Sequence, residues 1–422
     1  MEKRRQTVLV VDFGGSSTEN MARLIREQRV YARIVPCTAD ISEIHAENPL
    51  ALVLVGGKTA YHEGKPLTCD PAYLSMGIPV LAVGLGLRFM IEALGGEGRD
   101  REPCIPEKRM VRTSGTCAIF GRMPVEFEAL IAGSDLVAKL PPGFRVAAKS
   151  QDVPHAAVVN EKARQFGLAF HPESEDTPPG RDLIRNFLYN ICGADGDWDM
   201  DSCIEECIRR ARADIGDGHV LLALSGGVDS TVVGVLLHRA IGGRLHCVFV
   251  DHGLLRKNEC RDILDQYRSD FNLNVIGVDA ADRFLSELAG VTDPEEKRKI
   301  IGRVFIEVFE EEAAKLTNVR FLAQGTIYPD VIESYSLHGR TLVKSHHNVG
   351  GLPEKLGLEL VEPLRELFKD EVRKLGMALG VPADKIWRHP FPGPGLAVRI
   401  IGEVTAERVA LLQEVDAIVL EE

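Results

Sequence analysis

The sequence predicts an α/β protein with two doubly wound, mostly parallel-sheet domains in tandem. Short apolar runs of about four to eight residues, separated by helical segments, occur in two successive sets, and such runs are typical of strands buried on both faces. A small, acidic, turn-rich stretch at residues 193–201 separates the two sets and predicts a linker.

Length and composition support this organisation. The 422 residues suffice for roughly two or three domains. With 45% hydrophobic residues, the chain can build several cores, which excludes a long disordered protein. The formal net charge of −12 argues against nucleic acid as a main partner. Nine scattered cysteines predict free thiols. Because the sequence has neither an 18-residue apolar run nor a signal-peptide pattern, we expect a cytoplasmic protein with no membrane segment.

The first set of apolar runs predicts four strands. They are Thr7–Phe13, Leu50–Val55, Ile78–Val83 and Phe166–Phe170. Helices are predicted after the first and third of these strands, reaching about Arg26 and Leu94. Together they predict a first domain over residues 1–192.

The second set predicts four more strands in a domain over residues 193–388. They are His219–Leu224, Leu245–Val250, Val275–Val278 and Phe321–Ala323, and a helix to about Ala240 follows the first. The proline-rich segment at residues 388–395 is incompatible with a regular helix or a central strand, so it marks a second boundary. Residues 389–422 are too few for an independent core.

The strongest chemical signal is the Ser-Gly-Gly-Val-Asp-Ser segment at residues 225–230, between a predicted strand and a helix. Consecutive glycines let backbone N–H groups turn toward an anion, and the helix N-terminus adds its positive dipole end. We therefore predict a phosphate-binding loop formed by Ser225, Gly226, Gly227, Val228, Asp229, Ser230 and Thr231. The three hydroxyl groups are expected donors to phosphate. Asp229 has the wrong charge for a bare phosphate, so we expect it to contact Mg²⁺ or cap backbone amides.

This loop resembles the pyrophosphate-binding loop of the N-type ATP pyrophosphatases. Five longer segments make the chain from about residue 217 to residue 422 similar to the GMP synthase family: residues 250–256, 290–299, 324–334, 344–353 and 388–396. The resemblance implies that ATP adenylylates O2 of XMP, that pyrophosphate leaves, and that ammonia then displaces AMP to give GMP.

The same resemblance implies the site residues of this half. Asp229 would contact Mg²⁺, and Lys344 and Lys369 would contact phosphate and neutralise the charge that develops on the transferred phosphorus. Lys297, Arg298 and Lys299 would belong to a mobile lid. ATP is implied as a substrate.

Residues from about 7 to 188 resemble the class I glutamine amidotransferases, through residues 12–14, 56–57, 77–81 and 170–173. In that family a cysteine lies on a strand-to-helix elbow, and a His–Glu pair activates it. Here Gly84 takes the cysteine position, while His171 and Glu173 remain, as does the Gly56-Gly57 segment of the expected oxyanion region. Glycine forms no thioester, so we predict that this half does not hydrolyse glutamine.

Three functional hypotheses stay open at this stage. The first is a GMP synthase-type ligase that uses free or externally supplied ammonia. The second is a purine-nucleotide-binding paralogue that is non-catalytic or depends on a partner. The third is a ligase for another acceptor, against which the XMP-type segments argue. In the family a C-terminal domain follows residues 388–396, so we also expect a truncated chain or a separate C-terminal or glutaminase subunit.

Overall fold

The computed structural model describes residues 5–15, 17–56, 61–62, 65–99, 105–115, 117–131, 136–316, 318–334, 357–389, 391 and 393–421. The chain divides into two compact units, Met1–Asp199 and Met200–Glu422. Each unit has its own large sheet flanked by helices, and the predicted fold class is confirmed. Within the described residues, no helix is long and apolar enough to cross a membrane.

The first unit contains thirteen described strands and four α-helices. The strands are β1 (Thr7–Asp12), β2 (Tyr31–Pro36), β3 (Ala51–Gly56), β4 (Tyr61–His62), β5 (Lys65–Pro66), β6 (Val80–Gly84), β7 (Glu97–Gly98), β8 (Glu107–Thr113), β9 (Glu126–Ile131), β10 (Val137–Lys139), β11 (Arg145–Ser150), β12 (Ala157–Asn160) and β13 (Gln165–Leu168). The helices are α1 (Ser17–Glu27), α2 (Ile41–Glu47), α3 (Leu85–Ala93) and α4 (Gly180–Arg185).

The main sheet of this unit has the order β2-β1-β3-β6-β13-β12-β11-β8-β9. Its first five strands are parallel, as the buried apolar runs predict. Its last four strands join antiparallel, which the sequence analysis did not predict. The reason is visible in β9, where buried and exposed residues alternate, since a strand with one exposed face lacks the continuous apolar run.

In the second unit, the described residues form five strands and nine α-helices. The strands are β14 (His219–Leu224), β15 (Leu245–Asp251), β16 (Val275–Asp279), β17 (Val319–Ala323) and β18 (Glu359–Val361). The helices are α5 (Met200–Ile215), α6 (Val228–Ile241), α7 (Glu259–Ser269), α8 (Ala281–Glu287), α9 (Pro294–Ala314), α10 (Tyr328–Ser334), α11 (Lys369–Ala378), α12 (Ala383–Ile386) and α13 (Ala406–Glu421).

The five strands of the second unit form an all-parallel sheet in the order β16-β15-β14-β17-β18. The strand order reverses between β14 and β17, so the connections from these two strands leave toward opposite sides. In open α/β sheets, ligands bind at the carboxyl ends of the strands at such a switch point. The loop at residues 225–227 follows β14 at this place.

Lys297, which the family resemblance assigns to a mobile lid, is a buried lysine. It shares a helix face with Ile301, Val304 and Val308, and this face of α9 is buried, so the residue is only 1% exposed. Its Nζ donates to the carbonyl oxygens of Ile400 (2.7 Å) and Gly402 (2.6 Å). Lys297 therefore anchors the segment before α13, and its assignment to a lid stays a prediction.

Replacing Lys297 with Met should destabilise the second unit. The variant keeps the apolar stem but leaves two buried carbonyl groups without a donor, which we expect to lower the free energy of unfolding by about 3 kcal/mol. Chemical denaturation of the full chain measures this change. Lys299→Met is the matched control because Lys299 is exposed on the same helix. Equal stabilities of the two variants would contradict the anchoring role.

Candidate functional sites

The loop between β14 and α6 has the geometry of an anion cradle. Gly226 has a φ of +73°, a left-handed conformation that glycine adopts at little cost. Ser225 and Gly227 are exposed, and α6 begins at Val228 with no side-chain cap on its first N–H groups. The uncapped helix N-terminus therefore lies at the carboxyl end of β14, where its dipole favours negative charge.

Hydrogen bonds of two serine hydroxyl groups stabilise the conformation of the loop. Ser225 Oγ accepts from the Gly227 N–H (3.3 Å) and lies 3.0 Å from Ser230 Oγ. Ser230 Oγ in turn accepts from the Ser225 N–H (3.2 Å) and donates to the Gly227 carbonyl (3.1 Å). Of these two serines, Ser225 is exposed, whereas Ser230 is buried and stabilises the turn through its hydrogen bonds.

Thr231 differs from its expected role as a phosphate donor. Its side chain is buried, donates to the Gly227 carbonyl (2.9 Å) and lies 2.8 Å from Tyr267 Oη. Thr231 and the buried Tyr267 therefore stabilise the loop from its buried side. Tyr267 was not predicted as a residue of this site, because it lies on α7, 36 residues from Thr231 in the sequence.

Asp229 and Lys369 meet although they are 140 residues apart in sequence. Lys369 Nζ donates to both carboxylate oxygens of Asp229, each at 2.7 Å, and both side chains are partly exposed. Lys369 is the first residue of α11, and Asp229 lies in the first turn of α6. The structure therefore brings together two predicted site residues at one edge of the loop.

Arg388 and Glu259 complete the surroundings of the loop. The guanidinium of Arg388 donates to the carbonyl of Gly226 (3.1 Å) and forms an ion pair with Glu259. Glu259 is buried at the start of α7. The sequence analysis placed Arg388 in a family-like segment but gave it no role.

The remaining predicted residues of this half divide into two groups. Arg298 and Lys299 are exposed on α9. Lys344, a predicted phosphate contact, lies outside the described residues. No group of three potential metal-ligating side chains is found among the residues that the structure describes.

In the first unit, Gly84 forms a sharp turn between β6 and α3. Its φ of +60° and ψ of −119° are unfavourable for residues with a side chain. A Cβ atom here would lie 3.6 Å from His171 Nε2 and 2.6 Å from the carbonyl oxygen of Gly56. A side chain at residue 84 would therefore lie next to His171. Gly57, the other oxyanion candidate, lies outside the described residues.

His171 and Glu173 form a buried pair. His171 Nδ1 lies 2.7 Å from Glu173 Oε1, and both side chains are almost fully buried. Among the described residues, the second carboxylate oxygen, Glu173 Oε2, has no hydrogen-bond partner. The arrangement resembles that of a base and the carboxylate that orients it, and residue 84, which lies beside His171, has no side chain.

The four described thiols of the first unit are poor nucleophiles. Burial raises the pKa of Cys37 to about 11 and that of Cys192 to about 12, and it also raises the pKa values of Cys69 and Cys117. A thiol is nucleophilic as the thiolate, so a raised pKa lowers the reactive fraction of all four at neutral pH. Cys104 lies outside the described residues.

A known protein family matches the first part of the chain. The family model for class-I glutamine amidotransferase matches residues 9–191. Among solved structures, a glutamine amidotransferase from Thermotoga maritima aligns with 45% of this chain and 100% of its own, at 16% identity and a TM-score of 0.36.

Curated relatives match nearly the whole chain. GMP synthase [glutamine-hydrolyzing] of Syntrophomonas wolfei is 46% identical over 99% of this chain and 82% of its own length. The protein of the same name from Maridesulfovibrio salexigens is 48% identical over 98% of this chain and 81% of its own length. On this evidence, the chain belongs to the GMP synthase family.

Proposed function

We propose that this chain is an ammonia-dependent GMP synthase. In the first step, O2 of XMP attacks the α-phosphorus of ATP and pyrophosphate leaves. In the second step, ammonia attacks C2 of the adenylylated purine, and AMP leaves with the former O2. The proposed ammonia dependence rests on one observation. Residue 84 is a glycine, so it offers no nucleophilic side chain to the adjacent His171–Glu173 pair.

The loop at residues 225–230 is the proposed site of the departing pyrophosphate. Its exposed Ser225 and the uncapped start of α6 supply hydrogen-bond donors to negatively charged oxygens. Binding a polyphosphate here and aligning its α-phosphorus contributes mainly positioning and electrostatic stabilisation, which is how phosphoryl and nucleotidyl transfers are catalysed in general.

Lys369 and Asp229 are proposed to change partners when ATP binds. Their contact neutralises both charges at the edge of the loop. A triphosphate offers Lys369 a stronger anion than one carboxylate. Asp229 is then free for Mg²⁺, which it fits, since this ion is held by one or two carboxylates together with phosphate oxygens. Mg²⁺ would neutralise charge on the leaving pyrophosphate. Lys344 is proposed as a further phosphate contact.

The ammonia is proposed to come from solution or from a separate glutaminase. A class I amidotransferase forms a γ-glutamyl thioester on its cysteine before it releases ammonia. At Gly84 no such bond forms, and the described thiols of the first unit have raised pKa values. Glutamine would therefore reach the first unit without being hydrolysed.

Steady-state GMP formation tests this function directly. With XMP, Mg-ATP and ammonium chloride, we expect GMP and pyrophosphate in equal amounts. With glutamine in place of ammonium, we expect GMP formation no faster than in a reaction without any nitrogen donor. GMP formation with glutamine would contradict the proposed loss of glutaminase activity. No GMP with either donor would instead favour a nucleotide-binding paralogue or a partner-dependent subunit.

A cysteine introduced at Gly84 tests the elbow. Its thiol would lie beside His171, which can take its proton, so we expect Gly84→Cys to react with iodoacetamide about tenfold faster than the double variant that also carries His171→Ala. The positive φ and the approach to Gly56 should cost about 1–3 kcal/mol of stability. Peptide mapping by mass spectrometry measures modification at residue 84.

Gly77→Cys is the matched control for this experiment. Gly77 also has a positive φ, but a Cβ there would have no neighbour within 4 Å. Its thiol should react at the ordinary rate, whether or not His171 is replaced. If His171→Ala leaves the rate at residue 84 unchanged, the assignment of His171 as the base facing the elbow is wrong.

A further inference from the structure

The guanidinium of Arg388 contacts the backbone of the phosphate loop itself. Its Nη1 donates to the carbonyl of Gly226 at 3.1 Å. In a trans peptide the C=O and the following N–H point in opposite directions. Holding the Gly226 carbonyl therefore fixes the direction of the Gly227 N–H, which points to the hydroxyl of Ser225 (3.3 Å).

This peptide is the part of the loop that most needs an external support. Gly226 and Gly227 lack side chains, and Gly226 is in the left-handed region. Glycine has access to more backbone conformations than any other residue, so a pair of glycines loses more entropy when one conformation is selected. A fixed donor on the Gly226 carbonyl reduces the number of loop conformations that compete with the anion-binding one.

Arg388 is itself held in place by Glu259. The two side chains form an ion pair in which Glu259 is buried, and Arg388 is mostly covered. The other carboxylate oxygen, Glu259 Oε2, accepts from the backbone N–H of Arg256 at 2.7 Å. The orientation of the guanidinium is thus fixed by a buried carboxylate with defined partners on both oxygens.

The contacts continue from Arg256 to the last helix. Arg256 forms an ion pair with the buried Asp416 of α13 at 3.0 Å, and Asp416 also accepts from Arg399 at 2.6 Å. The centroid of the Phe391 ring lies 4.6 Å from the guanidinium carbon of Arg256. The described residues after Arg388 are therefore joined through charge pairs to the residues that hold the loop.

We propose that Arg388 is a positioning residue for the polyphosphate of ATP, acting through the Gly226–Gly227 peptide, with Glu259 as the group that holds it. This inference rests on the proposed function only in taking ATP as the ligand. Arg388 contacts the backbone of the loop, so its effect is on binding of the phosphates and not on the bond that breaks.

Titration calorimetry of the full chain with Mg-ATP and with inorganic pyrophosphate tests this role. We expect Arg388→Ala to weaken the binding of both by about tenfold, since a charged donor to a backbone carbonyl is lost. Arg388→Lys, which keeps a cationic donor, should recover part of this loss. Glu259→Gln, which keeps the shape of the side chain, should weaken binding in the same direction by a smaller factor.

Arg212→Ala is the matched control. Arg212 also donates to backbone carbonyls, those of Ala240 (2.9 Å) and Arg239 (3.1 Å), but at the opposite end of α6 from the loop. We expect this variant to bind both ligands as the unmodified chain does. Equal binding by the Arg212 and Arg388 variants, or no recovery with Arg388→Lys, would overturn the positioning role.

The outcomes also separate this inference from the proposed function. If the unmodified chain binds neither ATP nor pyrophosphate, both fail. If it binds them and Arg388→Ala makes no difference, only the positioning role fails. If Arg388→Ala weakens binding but the unmodified chain forms no GMP, the positioning role stands and the proposed function fails.

Discussion

Both candidate sites depend on one backbone constraint: a parallel strand must be joined to the following helix by a tight turn that contains a residue with positive φ. Gly84 is that residue between β6 and α3, and Gly226 is that residue between β14 and α6. The turn puts the unpaired N–H groups of a helix N-terminus at the carboxyl edge of the sheet. Gly84 suits the turn because glycine adopts a positive φ at lower cost than any residue with a side chain.

The two sites differ in what surrounds this turn. In the first unit the buried His171–Glu173 pair faces residue 84, which carries no side chain. In the second unit, side chains from several distant segments converge on the loop: Lys369, Tyr267 and Arg388. The turn of the second unit is thus surrounded by polar and charged side chains, whereas the turn of the first unit has none at residue 84.

Much of this organisation could be predicted from the sequence, because strands buried on both faces give continuous apolar runs and phosphate loops need glycine at fixed places. The antiparallel half of the first sheet was not predicted; in β9, for example, buried and exposed residues alternate, so this strand has no continuous apolar run. The burial of Lys297 was not predicted, although its spacing from Ile301 puts it on the buried face of α9. The contact of Arg388 with Gly226 spans 162 residues, and nothing local in the sequence indicates it.

The central claim is that the second unit adenylylates XMP without any help from glutamine. Isotope exchange between pyrophosphate and ATP tests it most directly, because this exchange reports the first chemical step alone. With Mg-ATP and labelled pyrophosphate, and with neither glutamine nor ammonia, we predict label in ATP only when XMP is present. Absence of exchange with XMP, or equal exchange without it, would contradict the account.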